Sequence, residues 1–209
     1  MSKEEKRKNN NYFILAIHST NDYFGFGYRD LNITNAKDNF YIKKLDKDLS
    51  KNLITNLGQF LEQQQINKIE RISISIGPAN FNASRQIIVC ARAISQQINC
   101  SLDQYSSYRL IAKRIAIKNK LVNINKPFWI FKKLKRRGFI AGKYFIQNNQ
   151  NVDSELIIDE IISPKLYKEF SNKEYQFEAE FDIKNELQEL LTLSLINHKN
   201  QIYNNWEKV

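Results

Sequence analysis

The chain has 209 residues, 42% of them hydrophobic, and carries 32 Lys and Arg against 22 Asp and Glu, a formal net charge of +10. That length and apolar content suit one large or two small globular domains with a substantial core, and they exclude a low-complexity or disordered chain. The basic balance points to a polyanionic neighbour such as RNA or to an acidic partner surface, although heavy use of Asn, Lys and Ile throughout also fits a codon bias toward A and T.

Residues 1–11, MSKEEKRKNNN, mix both charge signs without an apolar centre and read as a disordered, frayed tail rather than a leader. Residues 12–18, YFILAIH, have the β-branched and aromatic content of a strand, and Ser19 to Asp22 favour a turn. In the next run Phe24, Phe26 and Tyr28 alternate with Gly25 and Gly27, so one face packs and the other admits something close. A third strand over 39–45 completes an antiparallel meander. From Asp48, a plausible N-cap, Leu49, Leu53, Leu57, Phe60 and Leu61 recur at helical spacing.

The segment RISISIG alternates Ile72, Ile74 and Ile76 with serines, which predicts a half-buried strand ending at Gly77 and Pro78. A second helix follows, with Asn82 as its cap and Ile87, Ala91, Ile94 and Ile98 on one stripe. Cys90 and Cys100 stand without a CxxC motif or a nearby histidine and read as buried thiols, not as metal ligands or a disulfide. A third helix is expected over 107–118, then strands at FWIF, GFIAGKYFI and residues 155–162, and a last helix burying Ile183, Leu187, Leu190 and Leu191. The order predicts an α/β protein with a mixed sheet flanked by helices, in two lobes, 12–105 and a smaller 106–209. No stretch nears the roughly twenty apolar residues of a membrane helix, so a soluble, cytoplasmic chain without membrane contact is expected.

Three segments carry a resemblance, and they occur in order. SIGPANFNASR, with Gly77, Pro78, Phe81 and Arg85 in place, resembles the GPGSFTGLR segment of the TsaB (YeaZ) family. FILAIHST resembles the family's ILAIDTS, and RRGFIAGKY from Arg136 to Tyr144 resembles its RxGEVYxAxY. The departures are His18 for the family's first-strand aspartate and Ala79 and Ala83 for glycines of the central motif.

The resemblance implies a two-lobed, actin-like ATPase (ASKHA) fold with ribonuclease H-like lobes. It also implies a non-catalytic subunit that pairs with the TsaD-type transferase making threonylcarbamoyladenosine beside the anticodon of tRNA, with no cofactor of its own, tRNA reached through the complex, and a homodimer in isolation. The contact it implies uses the first two helices, with Leu53, Leu57, Phe60, Ile87, Ala91 and Ile94 as interface residues. Ile54 and Ile88 widen those apolar stripes.

The residues themselves allow other chemistry. Glycine-rich loops are needed to bring backbone N–H groups to phosphate, and HSTNDYF has none at its tip while GPANFNAS keeps one, so ATP binding is not expected. A two-metal nuclease would need several carboxylates at strand ends, and His18 stands at the first such position. His18 could serve as a general base, but a strand-end histidine is more often a packing residue, and His198 lies far along the chain. The densest basic run, Lys132, Lys133, Lys135, Arg136 and Arg137, with Lys143 beyond it, could meet RNA phosphates or be a solvated turn. A basic RNA-contacting module and a degenerate enzyme of the same fold therefore remain alternatives.

Overall fold

The apolar run after the tail forms β1, Phe13–Ser19, and all seven of its residues are buried. In this computed structural model, which describes residues 12–33, 37–45, 49–61, 63–124, 126–147, 156–171 and 174–208, the chain divides into two units. One comprises the residues before Ser106 together with those from Asp182 onward, and the other is Ser106–Phe181. The expected tail and Asp48 lie outside the described residues.

In the first unit β1 pairs antiparallel with β2, Tyr23–Asp30, which pairs with β3, Asn39–Lys44. On its other side β1 takes β4, Ile69–Ser75, in parallel, and β4 takes β5, Ser101–Tyr105, giving the order β3-β2-β1-β4-β5. Alternate residues point to opposite faces. One face sets Phe13, Leu15, Ile17, Phe24, Phe26, Ile72 and Ile74 against the stripes of α1, Leu49–Leu61, and α2, Phe81–Ile98. Each such side chain contributes about 1.5–3 kcal/mol by leaving water.

The opposite face is small and polar, and α4, Ile183–Lys199, crosses it against β1, β2 and β4. A Cβ on Gly25 would fall 2.7 Å from the Tyr41 carbonyl oxygen and 3.0 Å from Leu187 Cδ1, and one on Gly27 would lie 3.4 Å from Leu191 Cδ1. What the glycine face admits is thus the chain's own last helix. The expected second lobe of 106–209 is accordingly corrected, because Leu187, Leu190 and Leu191 are buried on the first sheet. The serines of RISISIG also differ from expectation. Ser73 and Ser75 are buried at 0% and 1% exposure, and the Ser73 hydroxyl donates to the Leu190 carbonyl at 3.2 Å.

The second unit opens with α3, Ser107–Lys118, at the expected bounds, capped by the Ser106 hydroxyl accepting from the Arg109 N–H at 3.0 Å. Its Tyr108, Ile111, Ala112 and Ile115 pack on Phe128, Ile130, Tyr144, Ile146 and Ile158 of a four-stranded sheet. The strands are β6, Phe128–Leu134, β7, Gly138–Gln147, β8, Ile157–Tyr167, and β9, Tyr175–Glu178, in the order β8-β7-β6-β9. No described helix is long and apolar enough to cross a membrane.

Candidate functional site

The parallel strands β1 and β4 carry His18 and Ser75 in their last two residues, the place where open α/β sheets carry their chemistry. His18 Nδ1 lies within a very short hydrogen bond of Ser75 Oγ, and its Nε2 lies 2.7 Å from Glu186 Oε2. Glu186 stands in the first turn of α4, where its other oxygen accepts from the Asp182 N–H at 2.8 Å, and Asp182 caps the helix by accepting from Lys184 and Asn185 N–H groups. Nε2 faces the carboxylate, and Nδ1 shares its hydrogen bond with the Ser75 hydroxyl.

The connectivity Ser75–His18–Glu186 is that of a nucleophile relay. The three side chains are only 1%, 0% and 1% exposed, so no substrate carbonyl meets the hydroxyl in this structure. The partner of His18 was not legible in the sequence because Glu186 lies 168 residues away. What the arrangement does is lock the first strand to the last helix.

A second buried cluster, also unread in the sequence, surrounds Asp103 on β5. Arg71 donates from Nε and Nη2 at 3.0 and 2.7 Å, and Ser194, Asn197 and Asn204 donate at 2.5, 3.0 and 2.5 Å. A fully buried carboxyl group is tolerated where donors surround it in this way. A groove of about 320 Å³ beside it is lined by Gln104, Tyr105, Asn197, Ile202 and Asn204 among others.

The two candidate phosphate loops satisfy themselves. In the β1–β2 hairpin Thr20 Oγ1 accepts from the Asp22 and Tyr23 N–H groups at 3.3 and 3.1 Å, which removes the donors a phosphate would need. In the β4–α2 turn Gly77 has φ +94°, and Asn80 rather than Asn82 caps α2, its Oδ1 accepting from Ala83 N–H at 3.1 Å. The cap falls two residues early because Pro78 and Ala79 complete the turn and Asn80 is the next side chain short enough to reach back. His18 bound to Glu186 and the hairpin N–H groups taken by Thr20 do not fit a magnesium nucleotide at this strand end. Among the described residues no three His, Cys, Asp or Glu side chains converge as a metal site.

The expected interface stripe lies mostly inside the first unit. Leu53 and Leu57 are 3% exposed, and Ile87 and Ala91 are wholly buried; Phe60 and Ile94 are half-buried against the same core. Phe60 stacks on Phe26 at 5.9 Å and touches Tyr28 and Tyr41. The outward apolar residues of α1 and α2 are others, namely Ile54, Phe81 and Val89 at 60, 71 and 67% exposure. Phe81 and Arg85 of the motif form one surface pair, the guanidinium 5.2 Å from the ring centre.

The basic run forms the β6–β7 hairpin, whose turn places Arg136 at φ +62° and Gly138 at φ +92°. Lys133, Lys135, Arg136 and Arg137 are exposed there. Lys132 rests over the Phe181 ring at 5.4 Å, while Lys143 pairs with Glu174 at 2.8 Å, which with a bond from Trp129 holds that carboxyl below its usual range.

No protein-family model and no curated protein matches this chain. Among solved structures it is similar to a Pseudomonas aeruginosa protein described as uncharacterized with similarity to peptidase YeaZ, at 10% identity and a TM-score of 0.67, covering 95% of this chain and 97% of that one. It is similar also to YeaZ from Pseudomonas aeruginosa, at 11% identity and a TM-score of 0.64, covering 94% and 97%. At such identities the likeness shows the fold: this is a YeaZ-like mixed α/β chain of the actin-like, ribonuclease H-like type.

Proposed function

We propose that the chain is a non-catalytic helper of the TsaB type, which pairs through the first unit with a TsaD-type transferase in forming threonylcarbamoyladenosine on tRNA. The observation that carries this reading is the apolar surface left on α1 and α2 of a YeaZ-like fold, Ile54, Phe81 and Val89. On α2 the positions 81, 85, 88, 89 and 92 share one side of the helix, so two arginines frame Phe81, Ile88 and Val89. On α1 a Cβ on Gly58, one turn from Ile54, would meet no atom within 4 Å, so a partner helix has room to approach. Exposed apolar residues on adjacent helices with a charged rim are the anatomy of a protein contact. The sealed His18 network and the closed loops support a helper whose partner supplies nucleotide and metal.

The reading is tested by co-purifying the chain from its native host with a TsaD-type protein and repeating the capture with Ile54→Glu and Val89→Glu. Each charge is expected to leave folding intact and to weaken capture on the order of a thousandfold, because it would be buried unpaired at the contact. Ala91→Asp is not a probe of the contact, since Ala91 is core. Capture unchanged by both variants, or no such partner, overturns the proposal.

A further inference from the structure

The second unit carries most of the charge asymmetry. Of the 32 Lys and Arg, 15 lie within residues 106–181, but only 8 of the 22 Asp and Glu, so this unit holds seven of the ten net positive charges. Its sheet is covered on one face by α3. On the other face Trp129 and Phe131 of β6, Phe139 of β7 and Tyr167 of β8 gather around Phe170, whose ring centre lies 5.3, 5.5, 6.1 and 5.8 Å from theirs. Trp129 is buried, whereas Phe131, Phe139, Tyr167 and Phe170 each keep part of the ring at the surface.

Ammonium groups sit on these rings. Lys133 Nζ lies 6.0 Å from the centre of Phe139, and Lys165 Nζ lies 5.5 Å from that of Tyr167. The β6–β7 turn adds Lys135, Arg136 and Arg137, all exposed, at the end of the same hairpin. We infer that this face of the second unit's sheet is a binding surface for single-stranded RNA. The lysines and the hairpin track phosphates, while rings exposed when a lysine swings from its perch to a phosphate receive bases.

A half-exposed aromatic sheet face bordered by cations suits single strands better than duplexes, because only unpaired bases offer their faces. An acidic protein surface would match the charge, whereas rings bordered by lysines along one sheet face match both the bases and the phosphates of a single strand. The inference does not rest on pairing with a transferase, so the isolated full-length chain tests it.

The experiment is fluorescence anisotropy of the full-length chain with a short labelled single-stranded RNA of mixed sequence and with its duplex. With roughly four phosphates neutralised, affinity for the single strand should fall about fiftyfold between 50 and 200 mM salt. Lys133→Glu combined with Lys165→Glu should weaken binding by about tenfold or more at 50 mM salt. Lys43→Glu with Lys44→Glu, the same charge change on the exposed β3 of the other unit, should change it less than about twofold. Tyr167→Leu, which keeps apolar volume, should cost about fivefold or more at 200 mM salt, where stacking outlasts charge. The inference is overturned if the chain fails to bind at 50 mM salt, if the β3 control loses as much as the face variant, or if duplex binds as tightly as single strand while Tyr167→Leu is neutral.

Discussion

His18 shows how one residue reorganises a strand end. A carboxylate at this position would face Glu186 where both are buried, whereas the imidazole satisfies that carboxylate and the Ser75 hydroxyl at once. His18→Asp is therefore expected to cost about 3–5 kcal/mol in urea unfolding at neutral pH, the scale of a buried ion left unpaired, with part of the loss recovered in acid as the carboxyls need no longer both be charged. Stability of the variant that does not change with pH would remove this account. The two thiols give a second pH signature. Burial pushes Cys90 and Cys100 each up to about 11, so the neutral thiol is favoured in the folded state. Since the folded values lie above the unfolded one near 9.0, their contribution is fully present below that pH and is lost as pH rises toward 11. A thiol reagent at pH 8 should accordingly label both only as fast as the chain unfolds.

Helices and strands with a clean period were legible, and those held by polar contacts were not. Helix α3 was readable to its bounds because its apolar spacing starts directly after a serine cap. Strand β5, SLDQY, places a charged residue in the middle of five, and nothing local reveals that Arg71 on the neighbouring strand will pair with it. Strand β9, YQFE, is too short to show a period, and only its register beside Phe128–Phe131 makes it a strand. The α2 cap separates the two kinds of signal within one loop. Asn80→Ala should cost about 1 kcal/mol by freeing the Ala83 N–H, and Asn82→Ala, an exposed change inside the helix, about 0.5 kcal/mol or less. Equal effects in chemical denaturation would return the cap to Asn82.

At the scale of the molecule, two α/β units were legible from the order of elements, and so was the approach of something to Gly25 and Gly27. What approaches was not legible, because the amphipathic stripe of α4 says only that one face is buried and is silent about which sheet buries it. The candidate site suffers from the same limit. Its motif residues Gly77, Phe81 and Arg85 could be located by resemblance, but the groups that close it, Glu186 and Thr20, are recognised only once the chain is folded. The interface stripe illustrates the converse, since periodicity finds the inward side of a helix and the partner-facing side is what remains.

The second unit is inserted in the sequence of the first, which breaks off at Tyr105 and resumes at Asp182. A chain emerging from the ribosome must therefore hold β1 to β5 with one face uncovered while 76 further residues are made. During that interval the glycine strip, the two serines and His18 lie open to water or to a chaperone, and the intervening unit, which has a sheet, a helix and a core of its own, is able to fold first. The final helix then acts as a clasp: it sets Leu187 and Leu191 against the glycines and Glu186 against His18. Maturation of the first unit is thereby a late event in the life of the nascent chain, timed by the length of the second.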